Sequence, residues 1–192
     1  ANARAGEPIT IRWTVTNLSD SVVAAGNWTD SVFLSEDSTW DLRDRPIGRV
    51  STAQALAPGQ SYTLELHTTM PAATPGGYRV IVRTDIFNQI FEGPFEVNNT
   101  AASPDTIETT VDQILIGTPL TVGLAQGQER LYRITVPPNE TLRITLTSSD
   151  PTALNEIFIR HDALPSRNAF DATYEGPLNS NLVAFVPSTE PG

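Results

Sequence analysis

The stretch Ile9-Thr10-Ile11-Arg12-Trp13-Thr14-Val15-Thr16 sets an apolar residue at every odd position and a polar one at every even position. Successive side chains of an extended chain point to opposite faces, so this alternation reads as a strand buried on one side. The same period of two returns in Tyr62-Thr63-Leu64-Glu65-Leu66, Tyr78-Arg79-Val80-Ile81-Val82-Arg83, Tyr132-Arg133-Ile134-Thr135-Val136 and Leu142-Arg143-Ile144-Thr145-Leu146. Turn residues separate these runs: Ala57-Pro58-Gly59-Gln60, Pro75-Gly76-Gly77, Pro137-Pro138-Asn139 and Ser149-Asp150-Pro151. Each combines a fixed φ or a tolerated positive φ with a reversal. No window beyond about ten residues keeps a capped 3.6 repeat, although Asp85 to Glu92 has room for one short helical turn. Short strands about 8–12 residues apart imply an all-β, antiparallel sandwich architecture.

Between Asn98 and Asp112 the apolar density falls, and Asn98-Asn99-Thr100-Ala101-Ala102-Ser103-Pro104-Asp105 reads as a connection. The strand Thr106–Val111 then closes a first module, residues 1–111. A second module, residues 112–192, is expected to carry strands near 129–136, 141–147, 155–161 and 181–186. A length of 192 residues accommodates two tandem antiparallel sandwiches of modest size.

Twelve Lys and Arg against 22 Asp and Glu give a net charge of −10. A field of that sign repels phosphate backbones and anionic lipid, which argues against nucleic acid as a partner. Cysteine is absent, so stability must come from packing. No apolar run approaches the roughly 20 residues of a membrane helix, so membrane insertion is not expected, and any export signal would lie outside this segment. The abundance of Thr, Ser, Asn, Pro and Gly suits a secreted or cell-surface protein. Asn-x-Ser/Thr triplets at Asn17, Asn27, Asn98 and Asn139 are common by chance in such a chain.

Six blocks in order carry a family pattern: Gly6-Glu7-Pro8-Ile9 with Trp13-Thr14-Val15-Thr16-Asn17, Trp28-Thr29-Asp30-Ser31-Val32-Phe33-Leu34-Ser35, Leu56-Ala57-Pro58-Gly59-Gln60-Ser61-Tyr62, Gly77-Tyr78-Arg79-Val80, Thr84-Asp85, and Glu96-Val97-Asn98-Asn99. Together they resemble the CARDB family, the cell-adhesion-related domain of bacteria, which implies an immunoglobulin-like sandwich in exported surface proteins. The second half is similar to the bacterial pre-peptidase C-terminal (PPC) domain, a jelly-roll-like sandwich. The similarity runs through Gly127-Gln128-Glu129-Arg130-Leu131-Tyr132, Asn155-Glu156-Ile157-Phe158-Ile159-Arg160 and Phe170-Asp171-Ala172. The resemblance implies one more strand before the Gly6 block and another after Gly192. Both ends therefore look cut, and a sheet lacking an edge strand offers unpaired main-chain groups to another copy.

The acidic loop Ser35-Glu36-Asp37-Ser38-Thr39-Trp40-Asp41-Leu42-Arg43-Asp44 is the first candidate site. Asp37, Asp41 and Asp44 have the hard oxygen ligands that suit calcium, yet the loop lacks the glycine and terminal Glu of an EF-hand. The alternative is a hairpin loop whose Asp side chains cap their own turns. Trp40 is either a sugar- or protein-contacting residue or a lid folded over the sandwich end. A second acidic set comprises Asp85, Glu92 and Glu96 with Asn88, Asn98 and Asn99, where Asp85 reads as a loop-holding acceptor. Trp13 belongs to the core of its strand, while the position of Trp28 stays open.

Two histidines exist. His67 falls on the polar side of its strand. His161-Asp162 with Ser166 could be drawn as a Ser/His/Asp set, but no Gly-x-Ser-x-Gly elbow exposes a nucleophile. Carboxylates are too common here for spacing to identify a glycosidase pair. The expected function is therefore a non-enzymatic structural or adhesive module, one unit of a repeat array or filament, with other copies or neighbouring modules as partners. The alternative is a calcium-assisted module binding surface glycan or protein, attached to a secreted hydrolase. No cofactor is required, and calcium is the one candidate.

Overall fold

The computed structural model describes residues 1–191, with the side chains of residues 93–95 outside the description. Chain contacts divide it into two compact units, the first made of Ala1–Val111 and Leu124–Leu131, the second of Asp112–Gly123 and the chain from Tyr132 onward.

The first unit contains β1 (Asn2–Arg4), β2 (Pro8–Thr16), β3 (Ala24–Ser35), β4 (Arg45–Leu56), β5 (Ser61–Thr69), β6 (Gly76–Arg83), β7 (Thr100–Ala102) and β8 (Ile107–Thr110), with a 3-10 helix over Gly93–Asn98. One sheet runs β1-β8-β6-β3-β4 with β7 also on β6, and a second pairs β2 with β5. The alternation in β2 explains the packing. Ile11 and Trp13 are buried against Val32 of β3 and Val80 of β6, with Val15, Leu64 and Leu66 around them. Each such buried aliphatic side chain is worth about 1.5–3 kcal/mol relative to exposure. Trp28, Leu56 and Tyr62 fill one end of the core, and Ala3, Leu34, Met70 and Tyr78 the other.

Two glycines sit at close approaches. A Cβ on Gly48 of β4 would sit 2.6 Å from Leu66 Cδ2 of β5, so any larger residue there requires the Leu66 side chain to move. Gly6 turns the chain at φ +77°, and a Cβ there would lie 2.1 Å from the Glu129 carbonyl oxygen. The segment Leu124–Leu131 is tied to this turn: the Gln128 amide donates to the Gly6 carbonyl, and Arg130 donates to the Ala5 carbonyl at 3.2 Å.

The second unit contains β9 (Asp112–Ile114), β10 (Tyr132–Ile134), β11 (Leu142–Leu146), β12 (Phe158–Ile159), β13 (Ala172–Thr173) and β14 (Leu182–Val186). Its strands pair two by two, β9 with β10, β11 with β14, and β12 with β13. Leu182 and Ala184 of β14 are each 1% exposed and stand opposite Leu146 and Ile144 of β11. Phe158 and Phe170 pack at a ring-centroid distance of 5.5 Å.

Several expectations need correction. The pairing is not uniformly antiparallel, because β1–β8 and β9–β10 are parallel. A short strand, β1, does precede the Gly6 turn. The strand expected at 129–136 shrinks to Tyr132–Ile134, since residues before it are held by the first unit and Pro137-Pro138 lack the N–H groups to extend it. The strand expected at 155–161 is only Phe158–Ile159, with an isolated bridge between Asn155 and Asn179. No helical turn forms over Asp85–Glu92. Asp85 takes φ 43°, and its carboxylate accepts the N–H groups of Gln89 and Ile90 at 2.8 and 2.7 Å, donors a helix would have used.

Candidate functional site

The strongest constellation of polar side chains lies between the two sheets of the first unit. Asp30 of β3 is fully buried, and its carboxylate gathers donors from both layers. From β2, Trp13 Nε1 donates to Oδ2 at 2.8 Å, and from β5 the Tyr62 hydroxyl donates to the same oxygen at 2.8 Å. From the end of β6, Thr84 Oγ1 donates to Oδ1 at 2.6 Å, and the Asp85 N–H reaches it at 3.4 Å. Trp28 Nε1 completes the network by donating to the Tyr62 hydroxyl at 2.9 Å, the two rings meeting edge to face at 5.6 Å.

The chemistry of this hub is that of a clamp. A buried carboxylate is tolerated only when its lone pairs are filled, and here they are. Burial pushes the Tyr62 hydroxyl well above the ordinary tyrosine range, with the nearby Asp30 charge acting in the same direction. Tyr62 is thus held as a neutral donor. Asp30 was not among the sequence candidates. Its signal was its parity: Trp28, Asp30, Val32 and Leu34 share one face of β3, which places a carboxylate in an apolar row.

The acidic loop is organised by its own backbone. The Thr39 N–H donates to Asp37 Oδ1 at 2.6 Å, the Arg43 N–H to Asp41 Oδ1 at 2.6 Å, and the Asp41 N–H to Asp44 Oδ2 at 2.8 Å. Among the described residues, no group of three or more His, Cys, Asp or Glu side chains is placed to hold a metal ion. Trp40 is half-buried. Its ring meets Phe33 edge to face at 6.0 Å, and the Arg83 guanidinium lies 3.8 Å over its centroid. Its Nε1 is buried without a hydrogen-bond partner.

In the second acidic set, the Glu92 N–H donates to Glu96 Oε1 at 2.8 Å, while one oxygen of each carboxylate is buried and unpartnered. Desolvation, with the Glu96 and Asp85 charges beside it, raises the Glu92 carboxyl above its ordinary value, opposed by a hydrogen bond from Asn99. His67 is exposed on β5 and accepts or donates at Nδ1 with Thr10 Oγ1 at 3.0 Å. His161 engages the chain near its end rather than Ser166: Nε2 lies 2.9 Å from the Pro191 carbonyl and Nδ1 3.4 Å from Glu190. Its pKa is raised, first by the bond to Pro191 and then by Asp162, Glu190 and Asp171. Ser166 instead pairs through its backbone with Ala169.

Among the described residues no helix is long and apolar enough to cross a membrane. The curated proteins contain no match to this chain. Among solved structures, the CARDB domain of a Pyrococcus furiosus protein, crystallised in complex with di-metal ions, is 17% identical. The similarity covers 57% of this chain and 79% of that one, with a TM-score of 0.40. The CARDB family model matches residues 1–103, more than half of the 192-residue chain, so the chain belongs to the CARDB family of cell-adhesion-related bacterial domains.

Proposed function

We propose that this chain is a non-catalytic structural and adhesive module of an exported bacterial surface protein, acting at the cell exterior through packing and strand pairing. The observation that carries this reading is the CARDB match over residues 1–103, joined to a buried polar hub whose groups are all engaged in bracing two sheets. A carboxylate committed to Trp13, Tyr62 and Thr84 has no lone pair aimed at a substrate. The second unit is read as a PPC-like jelly roll, on the residue blocks around Tyr132, Phe158 and Phe170. Other copies or neighbouring modules are the partners that fit best.

Beads coated with the purified chain test this directly. They are expected to adhere to one another or to bacterial cell-wall preparations, with no turnover of peptide, ester or glycan substrates. Turnover that survives repurification, with no adhesion, would overturn the proposal.

Calcium-assisted binding of surface glycan or protein, as the accessory module of a secreted hydrolase, keeps one point in its favour. Asp37 and Asp41 each accept a backbone N–H through Oδ1, and the hydrogen bonds described there do not use Oδ2. A ligand that binds the native state must raise its stability. Calcium titration should therefore raise the melting temperature if Asp37, Asp41 and Asp44 hold the ion, and a flat response removes this reading.

A further inference from the structure

Edge strands present unpaired N–H and C=O groups, and folded proteins blunt them with shortness, proline, bulges, charge or cover. The first unit applies these devices to several of its edges. β1 is only three residues long. β4 carries Pro46 and Gly48 opposite an irregularity at Val32/Phe33, and β5 lies alongside it, with Thr68 Oγ1 donating to the Ile47 carbonyl at 3.1 Å. β2 runs nine residues without a register shift, with proline only at its first position. Its single charge, Arg12, is ion-paired with Glu65.

Which main-chain groups of β2 are open follows from the pairing. The Asn17 N–H donates to the Gln60 carbonyl at 2.9 Å and the Met70 N–H to the Glu7 carbonyl at 2.8 Å, which assigns the odd-numbered residues to the hydrogen-bonded pairs with β5. The N–H and C=O groups of Thr10, Arg12, Thr14 and Thr16 face the other way, onto an edge that no strand covers among the described residues. Their exposed side chains are already locked in rungs: Thr10 with His67, Arg12 with Glu65, Thr14 with Thr63, Thr16 with Ser61. A straight, pre-ordered edge has little side-chain entropy left to lose on docking.

We propose that β2 is a self-docking strand, across which two copies of this chain pair antiparallel about a twofold axis at Trp13. This deepens the assembly reading above and rests on it. An incoming strand must alternate apolar and polar in phase with β2 to continue both faces, and β2 itself meets that condition. The twofold at Trp13 sets Thr10 opposite the partner's Thr16, Ile11 opposite the partner's Val15 and Arg12 opposite the partner's Thr14. A twofold at Arg12 stacks like charges, and one at Thr14 runs past the end of the strand, setting Thr10 opposite the partner's Leu18.

Sedimentation of the full chain over a wide concentration range, with amide hydrogen exchange at both extremes, tests the proposal. A concentration-dependent dimer is expected, with slowed exchange at Thr10, Arg12, Thr14 and Thr16. Thr14→Glu places a carboxylate opposite Arg12 twice per dimer and should tighten association about tenfold, whereas Thr14→Lys should weaken it about tenfold. Both substitutions are on an exposed face and leave the fold intact by circular dichroism. A dimer indifferent to both variants, or protection at other strands, overturns the β2 interface while leaving the adhesive reading in place. A chain that stays monomeric throughout also overturns it, and the bead assay then decides separately whether the adhesive reading survives.

Discussion

In the first unit, long strands converge on a carboxylate that ties both sheets together. In the second, strands of two to five residues pair in twos, and most of the apolar side chains on β10, β11 and β12 stay half-exposed. Both regions use the same alternation of apolar and polar residues. The difference shows that alternation recruits a residue to a face, while full burial needs a second layer to close over that face. It also separates two kinds of stabilisation: a directional network across layers in one unit, and local pairing around Leu182 and Ala184 in the other.

Three measurements test this contrast. The largest effect is expected from Asp30→Ala, which removes the acceptor of Trp13 Nε1, the Tyr62 hydroxyl and Thr84 Oγ1; the last two, 3.1 Å apart, can still pair with each other, while Trp13 Nε1 is left unpaired. Losing this shared buried acceptor should cost the first unit about 3–5 kcal/mol in denaturant unfolding followed by tryptophan fluorescence. A loss below about 1 kcal/mol would mean that the hub is not a clamp. Asp30→Asn, which keeps one acceptor oxygen, should recover part of the loss.

Next, matched truncations compare the interiors. Ile81 of β6 is fully buried, and Ile81→Ala should cost about 3 kcal/mol, whereas Ile144→Ala on half-exposed β11 should cost about 1 kcal/mol. Equal costs would show that the second unit is packed as tightly as the first.

The smallest effect concerns alkaline pH. Burial raises the Tyr62 hydroxyl above its unfolded value near 10, so the unfolded chain releases this proton while the folded chain keeps it. The unfolded state then binds fewer protons, and stability, complete below about pH 10, falls as pH climbs beyond it. Tyr62→Phe should remove that component of the slope and cost about 1–2 kcal/mol at neutral pH, because Trp28 Nε1 loses its acceptor. A slope unchanged by the substitution would assign the alkaline loss to another group.

Much of the first unit was legible in order. The β2 alternation, the Pro58-Gly59 turn and the β6 run all stand where their residues place them. The acidic loop was legible only as alternatives, because a run of carboxylates is compatible with both ion binding and turn capping. Its geometry displays the capping hydrogen bonds at Asp37, Asp41 and Asp44. Trp40 likewise needed three dimensions, since its neighbours Phe33 and Arg83 come from two different strands.

The chain's own pattern determined that it is all-β, which residues of β2 and β5 face inward, and that the chain would turn at Pro58-Gly59; at Pro75-Gly76-Gly77, expected as a turn, strand β6 begins at Gly76 instead. These follow from φ/ψ preference and a two-residue period, both local properties. Tertiary structure alone decided that Asp30 would become the meeting point of four donors, that residues 124–131 would join the first unit, and that β1 would pair in parallel with β8. Such contacts join residues far apart in the chain, and their stability depends on which layers exclude water together. No local period encodes that.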